Sequence, residues 1–72
     1  MPPSPKWVEL AEQIREQIAS GALSPGEKLP STSQLCEIHK VSSIVVRNAM
    51  LTLKAEGLLV GVPGVGVFVA ER

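Results

Sequence analysis

The chain has 72 residues, 44% of them apolar, and its seven basic and seven acidic side chains give a formal net charge of zero. A chain this short forms one domain with a modest core, and a zero net charge by itself argues against attraction to a polyanion such as nucleic acid. A single Trp, a single Phe and no Tyr exclude extensive stacking on unpaired bases.

A first helix is predicted to begin after Ser4 and to end at Gly21. Ser4-Pro5 has the form of an N-cap followed by proline at the first helical position, and Gly21 is a helix stop. Apolar residues recur at helical spacing, namely Trp7, Leu10, Ala11, Ile14 and Ile18. The other face is polar, so we expect a scaffold helix, preceded by a flexible Pro-rich segment at residues 1–4.

A loop with a stub of strand and a short second helix are predicted next. Pro25-Gly26 marks a turn, and Pro30 biases the residue before it toward an extended backbone. Ser31 and Gln34 have the spacing of a capping box, which starts a helix of about two turns. The apolar side of this helix is expected to consist of Leu35, Cys36 and Ile38.

A third helix is predicted over residues 42–56. Lys40-Val41 separates it from the second helix, Ser42 can cap its start, and Gly57 ends it. Its inward stripe is Val46, Ala49, Met50 and Leu53. Its outward positions are Ser43, Arg47, Asn48 and Leu51, and the first three can form hydrogen bonds. Two short capped helices joined by a tight turn are typical of a helix-turn-helix.

The end of the chain is predicted to be a β-hairpin. Residues 58–62 and 67–70 are rich in β-branched side chains and flank a turn at 63–66. Two strands alone are only marginally stable, so they are expected to pack on the helices. The predicted fold class is therefore mainly α with a small β-hairpin (α+β). It is a winged helix-turn-helix, in which three helices precede a two-stranded wing.

The residues that the chain lacks exclude several classes of protein. Cys36 has no partner for an intrachain disulfide, and no Cys and His spacing suits zinc. No apolar run approaches the roughly 20 residues of a membrane span, and the N-terminus lacks a signal-peptide pattern. No nucleophile has an evident base, and no phosphate-binding loop precedes a lysine. We expect a cytoplasmic protein that is not an enzyme, with no metal, cofactor or membrane partner.

The charges are unevenly distributed along this neutral chain. Five of the seven acidic residues precede residue 40, namely Glu9, Glu12, Glu16, Glu27 and Glu37. Lys40, Arg47 and Lys54 instead lie in or beside the third helix. Near the end of that helix Lys54 and Glu56 are expected to be solvated, with only Lys54 able to reach a phosphate. The distribution places positive charge where a helix-turn-helix contacts DNA.

Taken in order, these motifs resemble the DNA-binding domain of the GntR family of bacterial transcriptional regulators. The resemblance runs from about Trp7 to Val69. The segments that carry it are Ile18-Ala19-Ser20-Gly21, Pro25-Gly26-Glu27-Lys28-Leu29-Pro30-Ser31, Val41-Ser42, Val46-Arg47-Asn48-Ala49-Met50, Leu53-Lys54-Ala55-Glu56-Gly57-Leu58 and Gly64-Val65-Gly66-Val67-Phe68-Val69. Each segment alone is a weak signal, whereas all of them in order are a specific one.

The resemblance implies sequence-specific binding of double-stranded DNA by a regulator, typically a repressor. It implies that helix 42–56 enters the major groove and that the wing, residues 61–67, reaches the minor groove. The expected DNA-binding residues are Lys28, Ser31, Ser33, Gln34, Ser42, Ser43, Arg47, Asn48, Gly64 and Gly66. Family members also carry a C-terminal domain that binds a small-molecule effector and dimerises. A full-length parent would thus be a homodimer on a palindromic operator, and this chain alone a monomer without the effector domain.

The chain also departs from the family pattern at positions that usually contact DNA. Thr32-Ser33 replaces Glu-Arg, Ser43 replaces Arg, Val45 replaces Thr, and Val65 replaces a residue that is often basic. Three expected cationic contacts are therefore absent. Two interpretations remain open. One is an altered operator preference with weaker binding. The alternative is a winged-helix protein–protein interaction module that has lost strong DNA binding and uses an apolar patch of Val62, Val65 and Val67.

Overall fold

The computed structural model describes residues 5–71, which form three helices followed by one antiparallel hairpin. The helices are α1 (Lys6–Ser20), α2 (Thr32–His39) and α3 (Ser43–Ala55), and the strands are β1 (Leu59–Val62) and β2 (Gly66–Val69). This arrangement confirms the predicted winged helix-turn-helix. The predicted flexible segment at residues 1–4 lies outside the described residues.

Helix α1 begins one residue later than the sequence predicted. Pro5 occupies the N-cap with an extended ψ of 148°, and its carbonyl oxygen accepts hydrogen bonds from the N–H groups of Val8 and Glu9 at 3.0 and 3.2 Å. Ser4, the predicted cap, lies outside the described residues. The helix ends as predicted at Gly21, whose φ of 87° is left-handed.

Serine side chains cap both α2 and α3, as predicted. At α2 the Gln34 N–H donates to Ser31 Oγ at 3.2 Å, and the Ser31 N–H donates to Gln34 Oε1 at 2.9 Å, which completes the capping box. At α3 the Val45 N–H donates to Ser42 Oγ at 3.4 Å. Between the helices Lys40 takes a left-handed φ of 57°, which turns the chain sharply after only eight helical residues.

The core lies where α1 and α3 pack together and where α2 and the hairpin cover them. The buried side chains are those of Leu10, Ala11, Ile14, Leu29, Leu35, Val46, Ala49, Met50, Leu53, Leu59 and Val69. The predicted inward stripe of α3 is therefore confirmed in full. In α1 the stripe is buried from Leu10 to Ile14, whereas Ile18 and Trp7 are only half-buried.

The predicted apolar side of α2 is wrong at one position. Leu35 is buried and Cys36 is half-buried, but Ile38 is 61% exposed. At 3.6 residues per turn Ile38 lies about 60° from Leu35, on the side away from Cys36. The three side chains span about 160° of the helix circumference, and α2 packs mainly against α3, so the contact does not extend to Ile38.

The hairpin is joined to the helical part by a third extended segment. Lys28 forms a bridge with Phe68, and the Leu29 N–H donates to the Val67 carbonyl at 2.8 Å. This bridge confirms the predicted stub of strand. Within the hairpin Leu59 pairs with Val69, so these two side chains share the face that is buried. The hairpin is thereby fixed to the core at its base.

One ion pair ties the end of α3 to α1. Arg15 donates from Nε and Nη2 to the two carboxylate oxygens of Glu56 at 3.0 and 2.8 Å. These bonds raise the pKa of Arg15 above its ordinary value. Glu56 is exposed, as the sequence predicted, but its ion pair was not predicted, because the partner lies 41 positions earlier and is reached only in the fold.

Among residues 5–71, no helix is long and apolar enough to cross a membrane. The same residues hold no cluster of His, Cys, Asp or Glu side chains that could bind a metal ion.

Candidate nucleic-acid interface

The outward face of α3 presents hydrogen-bonding side chains on a rigid element. Ser43, Arg47 and Asn48 are all exposed on it, at the positions that the sequence predicted. Arg47 forms no salt bridge with any residue from 5 to 71. Its guanidinium and the Asn48 amide can therefore donate to groups outside the protein.

Two large apolar side chains lie on the same outward face. Ile44 is 68% exposed and Leu51 is 56% exposed. They are seven residues apart, so they lie within about 20° of each other around the helix axis. Arg47 lies to one side of this line and Asn48 to the other, because they are offset from it by less than half a turn in opposite directions.

Sequence reasoning named Leu51 as outward but missed Ile44. The signal was available, because Ile44 lies opposite the inward stripe of α3 on a helical wheel. An apolar side chain there has no core to enter, so it is exposed to whatever the helix contacts. Ile44 and Leu51 lie on one line along the helix, and an exposed apolar patch is more informative than a single exposed side chain.

No acidic residue lies near α3 in the sequence on its N-terminal side or within the helix. Residues 38–55 contain no Asp or Glu, whereas α1 contains three glutamates. Arg47 and Lys54 are both exposed on α3. Although the chain is neutral as a whole, this face therefore carries local positive charge and favours a negatively charged partner.

The two serine caps leave part of their hydrogen-bonding capacity free. Ser31 Oγ and Ser42 Oγ each accept a backbone N–H, and both residues are exposed. Each hydroxyl can still donate its own proton outward. Unpaired backbone N–H groups in the first turn of each helix also favour an anion at these ends.

Several predicted site residues share one cleft between the loop, α2, α3 and the hairpin. The cleft has a volume of about 410 Å³, and Lys28, Ser31, Gln34 and Gly66 line it together with Met50. Gln34 uses its side-chain carbonyl in the capping box, which leaves its amide NH₂ as a donor. Ser33 is exposed on α2 but does not line the cleft.

The tip of the hairpin is a tight turn built on Pro63 and Gly64. The Val65 N–H donates to the Val62 carbonyl at 3.0 Å, and Gly64 has a φ of 76°. Proline followed by a residue with positive φ is the pattern of a type II turn. Glycine adopts this positive φ without strain, and the turn presents a narrow, neutral tip.

The apolar patch predicted for the hairpin has a different membership. Val67 is half-buried and packs against the core, so it does not join Val62 and Val65 in an exposed patch. Side chains alternate between faces along a strand, and Val67 lies on the same face as Val69. On the outer face, Val62 instead has Val60 and Phe68 as neighbours.

Taken together, the surface combines a helix with cationic, amide and apolar side chains, two capped helix starts and a thin hairpin. Such a helix has the diameter that the major groove of DNA accepts, and its donors suit base edges and phosphate oxygens. A thin hairpin suits a narrower groove.

Comparison with known proteins identifies the family to which this surface belongs. Residues 7–69 match the family described as bacterial regulatory proteins, gntR family. The chain is 40% identical over 68 residues to the mannosyl-D-glycerate transport/metabolism system repressor MngR of Escherichia coli, covering 94% of this chain and 28% of MngR. It is 39% identical over 69 residues to the histidine utilization repressor of Pseudomonas aeruginosa, covering 96% of this chain and 28% of the repressor.

Solved structures agree with the sequence comparison. The DNA-binding domain of AraR in complex with operator ORX1 matches with a TM-score of 0.91 at 35% identity, over 94% of this chain and 82% of that one. YtrA of Sulfolobus acidocaldarius, a GntR-family transcription factor, matches with a TM-score of 0.90 at 35% identity, over 99% of this chain and 74% of that one. The chain spans less than a third of the length of the curated relatives that it matches.

Proposed function

The chain belongs to the GntR family of bacterial regulatory proteins, and from this membership we propose that it binds double-stranded operator DNA as a transcriptional regulator rather than acting as an enzyme. In this proposal α3 lies in the major groove and the wing, residues 61–67, lies at the minor groove. The DNA-binding residues are Lys28, Ser31, Ser33, Gln34, Ser42, Ser43, Arg47, Asn48, Gly64 and Gly66. The cytoplasm, where bacterial DNA lies, is the implied location.

The outward face of α3 is the observation that carries this proposal. Arg47 and Asn48 are exposed there without an acidic neighbour in α3. Arginine suits the O6 and N7 atoms of guanine, and asparagine suits the N6 and N7 atoms of adenine. The AraR domain, which has the same fold at 35% identity, was solved with its operator. Both lines of support favour DNA over other polyanions.

We also infer that Ile44 contributes to operator choice. It lies in the first turn of α3, and the N-terminal residues of a recognition helix are the ones that reach base edges. Thymine carries the only methyl group in the major groove, so an exposed isoleucine there favours thymine by apolar contact. An exposed isoleucine at this place is thus consistent with an altered operator preference.

Repression by occupying an operator is the mode of regulation we propose for the longer protein. Relatives named as repressors support this direction. A homodimer would place two α3 helices about one DNA turn apart on a palindromic operator. A C-terminal domain outside this chain would bind the small-molecule effector and dimerise, and this domain alone would bind as a weak monomer.

The proposal is tested by an NMR titration of the chain with duplex DNA of about 20 base pairs, long enough for two half-sites. The duplex is first selected from a randomised pool at low salt. We expect amide shifts at residues 31–34, 42–52 and 64–66. Arg47→Ala should weaken binding by about 1–3 kcal/mol, whereas Arg15→Ala, which removes the same charge from α1, should leave it nearly unchanged.

The same titration separates this function from the alternative. If no duplex shifts these amides even at low ionic strength, the domain does not bind DNA and the protein–protein interaction hypothesis takes its place. The outer face of the hairpin, with Val60, Val62 and Phe68, is the surface that favours that second candidate. Equal weakening by Arg47→Ala and Arg15→Ala would indicate non-specific charge attraction instead.

A further inference from the structure

The wing carries no charge of its own. Residues 57–70 contain no Asp, Glu, Lys or Arg. A hairpin that enters the minor groove lies between two phosphate backbones, and phosphate contacts supply much of the affinity of DNA-binding proteins. The charge for such contacts must therefore come from another part of the chain.

Lys54 is in the last turn of α3, and the end of its side chain lies beside Gly61 of the hairpin. A Cβ atom at Gly61 would be 2.8 Å from Lys54 Nζ and 3.1 Å from Lys54 Cε, so the absence of a side chain makes room for the ammonium group. Gly61 pairs with Val67 and lies two residues after the buried Leu59. By strand alternation Lys54 therefore occupies the inner face of the hairpin, toward α3.

Lys28 occupies the equivalent place at Gly66. A Cβ atom at Gly66 would be 2.7 Å from Lys28 Cε and 3.7 Å from its Nζ. Gly66 pairs with Val62, and this residue pair is adjacent in the hairpin to the pair of Gly61 and Val67. Lys28 lies beside β2, at the cleft that it lines with Ser31 and Met50. Lys28 belongs to the extended segment that bridges to Phe68, which fixes its backbone beside the hairpin.

Both ammonium groups remain available to a ligand. Lys28 and Lys54 are exposed, and among residues 5–71 neither forms a salt bridge. The hairpin thus has one lysine beside each strand, Lys54 at β1 and Lys28 at β2, although neither lysine belongs to it.

We propose that Lys54 and Lys28 supply the positive charge of the wing, and that their ammonium groups bind the phosphates on the two sides of the groove that the wing enters. This inference rests on the proposed DNA-binding function. Gly61 leaves room for Lys54 and Gly66 leaves room for Lys28, since any side chain at either glycine would displace the lysine beside it. Lys54 is accordingly added to the residues proposed to contact DNA. In this proposal the two lysines supply the charge that a basic residue at the position of Val65 often supplies in the family.

The inference predicts a specific salt dependence. Each lysine–phosphate contact contributes about 0.9 to the slope of log K against log salt concentration. Lys54→Ala and Lys28→Ala should each reduce that slope by about 0.9 and weaken binding to all sequences similarly. Sequence preference should be retained, because phosphate contacts do not read bases.

Gly61→Ala tests whether the space at Gly61 positions the Lys54 side chain, because this substitution leaves all charges of the chain unchanged. Gly61 does not have a left-handed φ, and a Cβ there would meet only the flexible end of Lys54, so the fold should be retained. Affinity for the selected duplex is measured by fluorescence anisotropy from about 50 to 200 mM salt. The proteins are wild type, Gly61→Ala, Lys54→Ala and the double variant, with circular dichroism melting curves as the check on folding.

We expect Gly61→Ala to reduce the salt slope in the wild type but to have no effect in the Lys54→Ala background, since the two changes remove one contact. A slope unchanged by Gly61→Ala and by Lys54→Ala, with wild-type binding intact, overturns the inference alone. Equal effects of Gly61→Ala in both backgrounds also overturn it, because Lys54 would not be the group displaced. Failure of the wild type to bind any duplex overturns the proposed function and the inference together.

Discussion

Helices α1 and α3 bury similar stripes against each other but present opposite surfaces to solvent. The exposed side of α1 carries Glu9, Glu12 and Glu16, and its Arg15 is neutralised by Glu56. The exposed side of α3 carries no acidic residue, and Ile44 and Leu51 lie on it uncovered. Both helices stabilise the fold through their buried stripes, but the apolar and cationic side chains on the outward face of α3 do not contribute to the core.

The comparison shows how a neutral chain can still have a surface suited to DNA. Net charge averages over α1 and α3, whereas a ligand meets only one of them. On α1 a solvated polar face is the ordinary outward surface of a helix that packs on a core. On α3 the exposed apolar and cationic groups have no structural role, so substitutions there should alter binding more than stability.

The largest expected effect comes from the buried side of α3. Leu53 is fully buried, and Leu53→Ala should lower the free energy of unfolding by about 2–5 kcal/mol. Because small domains are only marginally stable, this loss approaches the whole stability of the domain. Urea denaturation measures it. Leu51→Ala, on the outward face of the same helix, is the matched control and should change stability by less than about 0.5 kcal/mol.

Comparable losses from the two leucines would contradict the assignment of opposite faces to them. That result would also remove the basis for treating the outward face of α3 as a binding surface.

The next effect concerns how the two helices begin. The Ser42 side chain caps α3, whereas α1 begins at Pro5 without a side-chain cap. Ser42→Ala should destabilise the domain by about 0.5–1 kcal/mol, because the hydrogen bond of 3.4 Å to the Val45 N–H is long for a cap. Thermal melting measures this loss. Ser43→Ala removes a hydroxyl one residue later and should cost less, so an equal cost would show that the cap bond contributes nothing.

The buried side of α3 was predictable from sequence, whereas several exposed features were not. Periodicity placed Val46 and Leu53 inward because a helix repeats every 3.6 residues, and the spacing from Ser31 to Gln34 revealed a cap that involves only neighbours. Ile38 was misplaced because its burial depends on how many elements cover α2. The ion pair of Glu56 was not predicted because its partner Arg15 is brought close only by the packing of α1 on α3.

The candidate site shows the same limit. Arg47 and Asn48 could be placed outward from the helical pattern alone. The position of Lys54 over Gly61 depends on how the end of α3 faces β1, a relation between two elements that no local pattern encodes. Sequence therefore indicated which residues are outward but not which of them meet in space.

A smaller effect on binding should come from Ile44. Replacing thymine by deoxyuridine in the selected duplex removes only the methyl group, and loss of one apolar contact of this size is worth about 0.8 kcal/mol, or about fourfold in affinity. We expect wild type to show this loss at one or more positions and Ile44→Ala to show none. Ile38→Ala, the same truncation at an exposed isoleucine of α2 outside the proposed site, is the control and should keep the preference for thymine.

If wild type binds the thymine and deoxyuridine duplexes equally, Ile44 has no role in operator choice. Its exposure would then be a property of the surface alone, and the contrast between α1 and α3 would reduce to charge.

The smallest effect is expected from the ion pair that joins the two helices. Exposed pairs add little stability because water and salt screen them, and the two side chains of Arg15 and Glu56 are each 39% exposed. In a double-mutant cycle of Arg15→Ala and Glu56→Ala, measured by urea denaturation, we expect a coupling at about 0.1 M salt that vanishes near 1 M, where the Debye length is about 3 Å.

The raised pKa of Arg15 means that its stabilising contribution is present below its unfolded-state pKa and is lost only as pH rises through the folded-state value. The coupling should therefore be the same between about pH 6 and pH 9, since the guanidinium stays protonated throughout. A coupling that persists at high salt would show that Arg15 and Glu56 hold α1 and α3 together by packing, and it would make the end of α3, where Lys54 lies, more rigid than an exposed ion pair can make it.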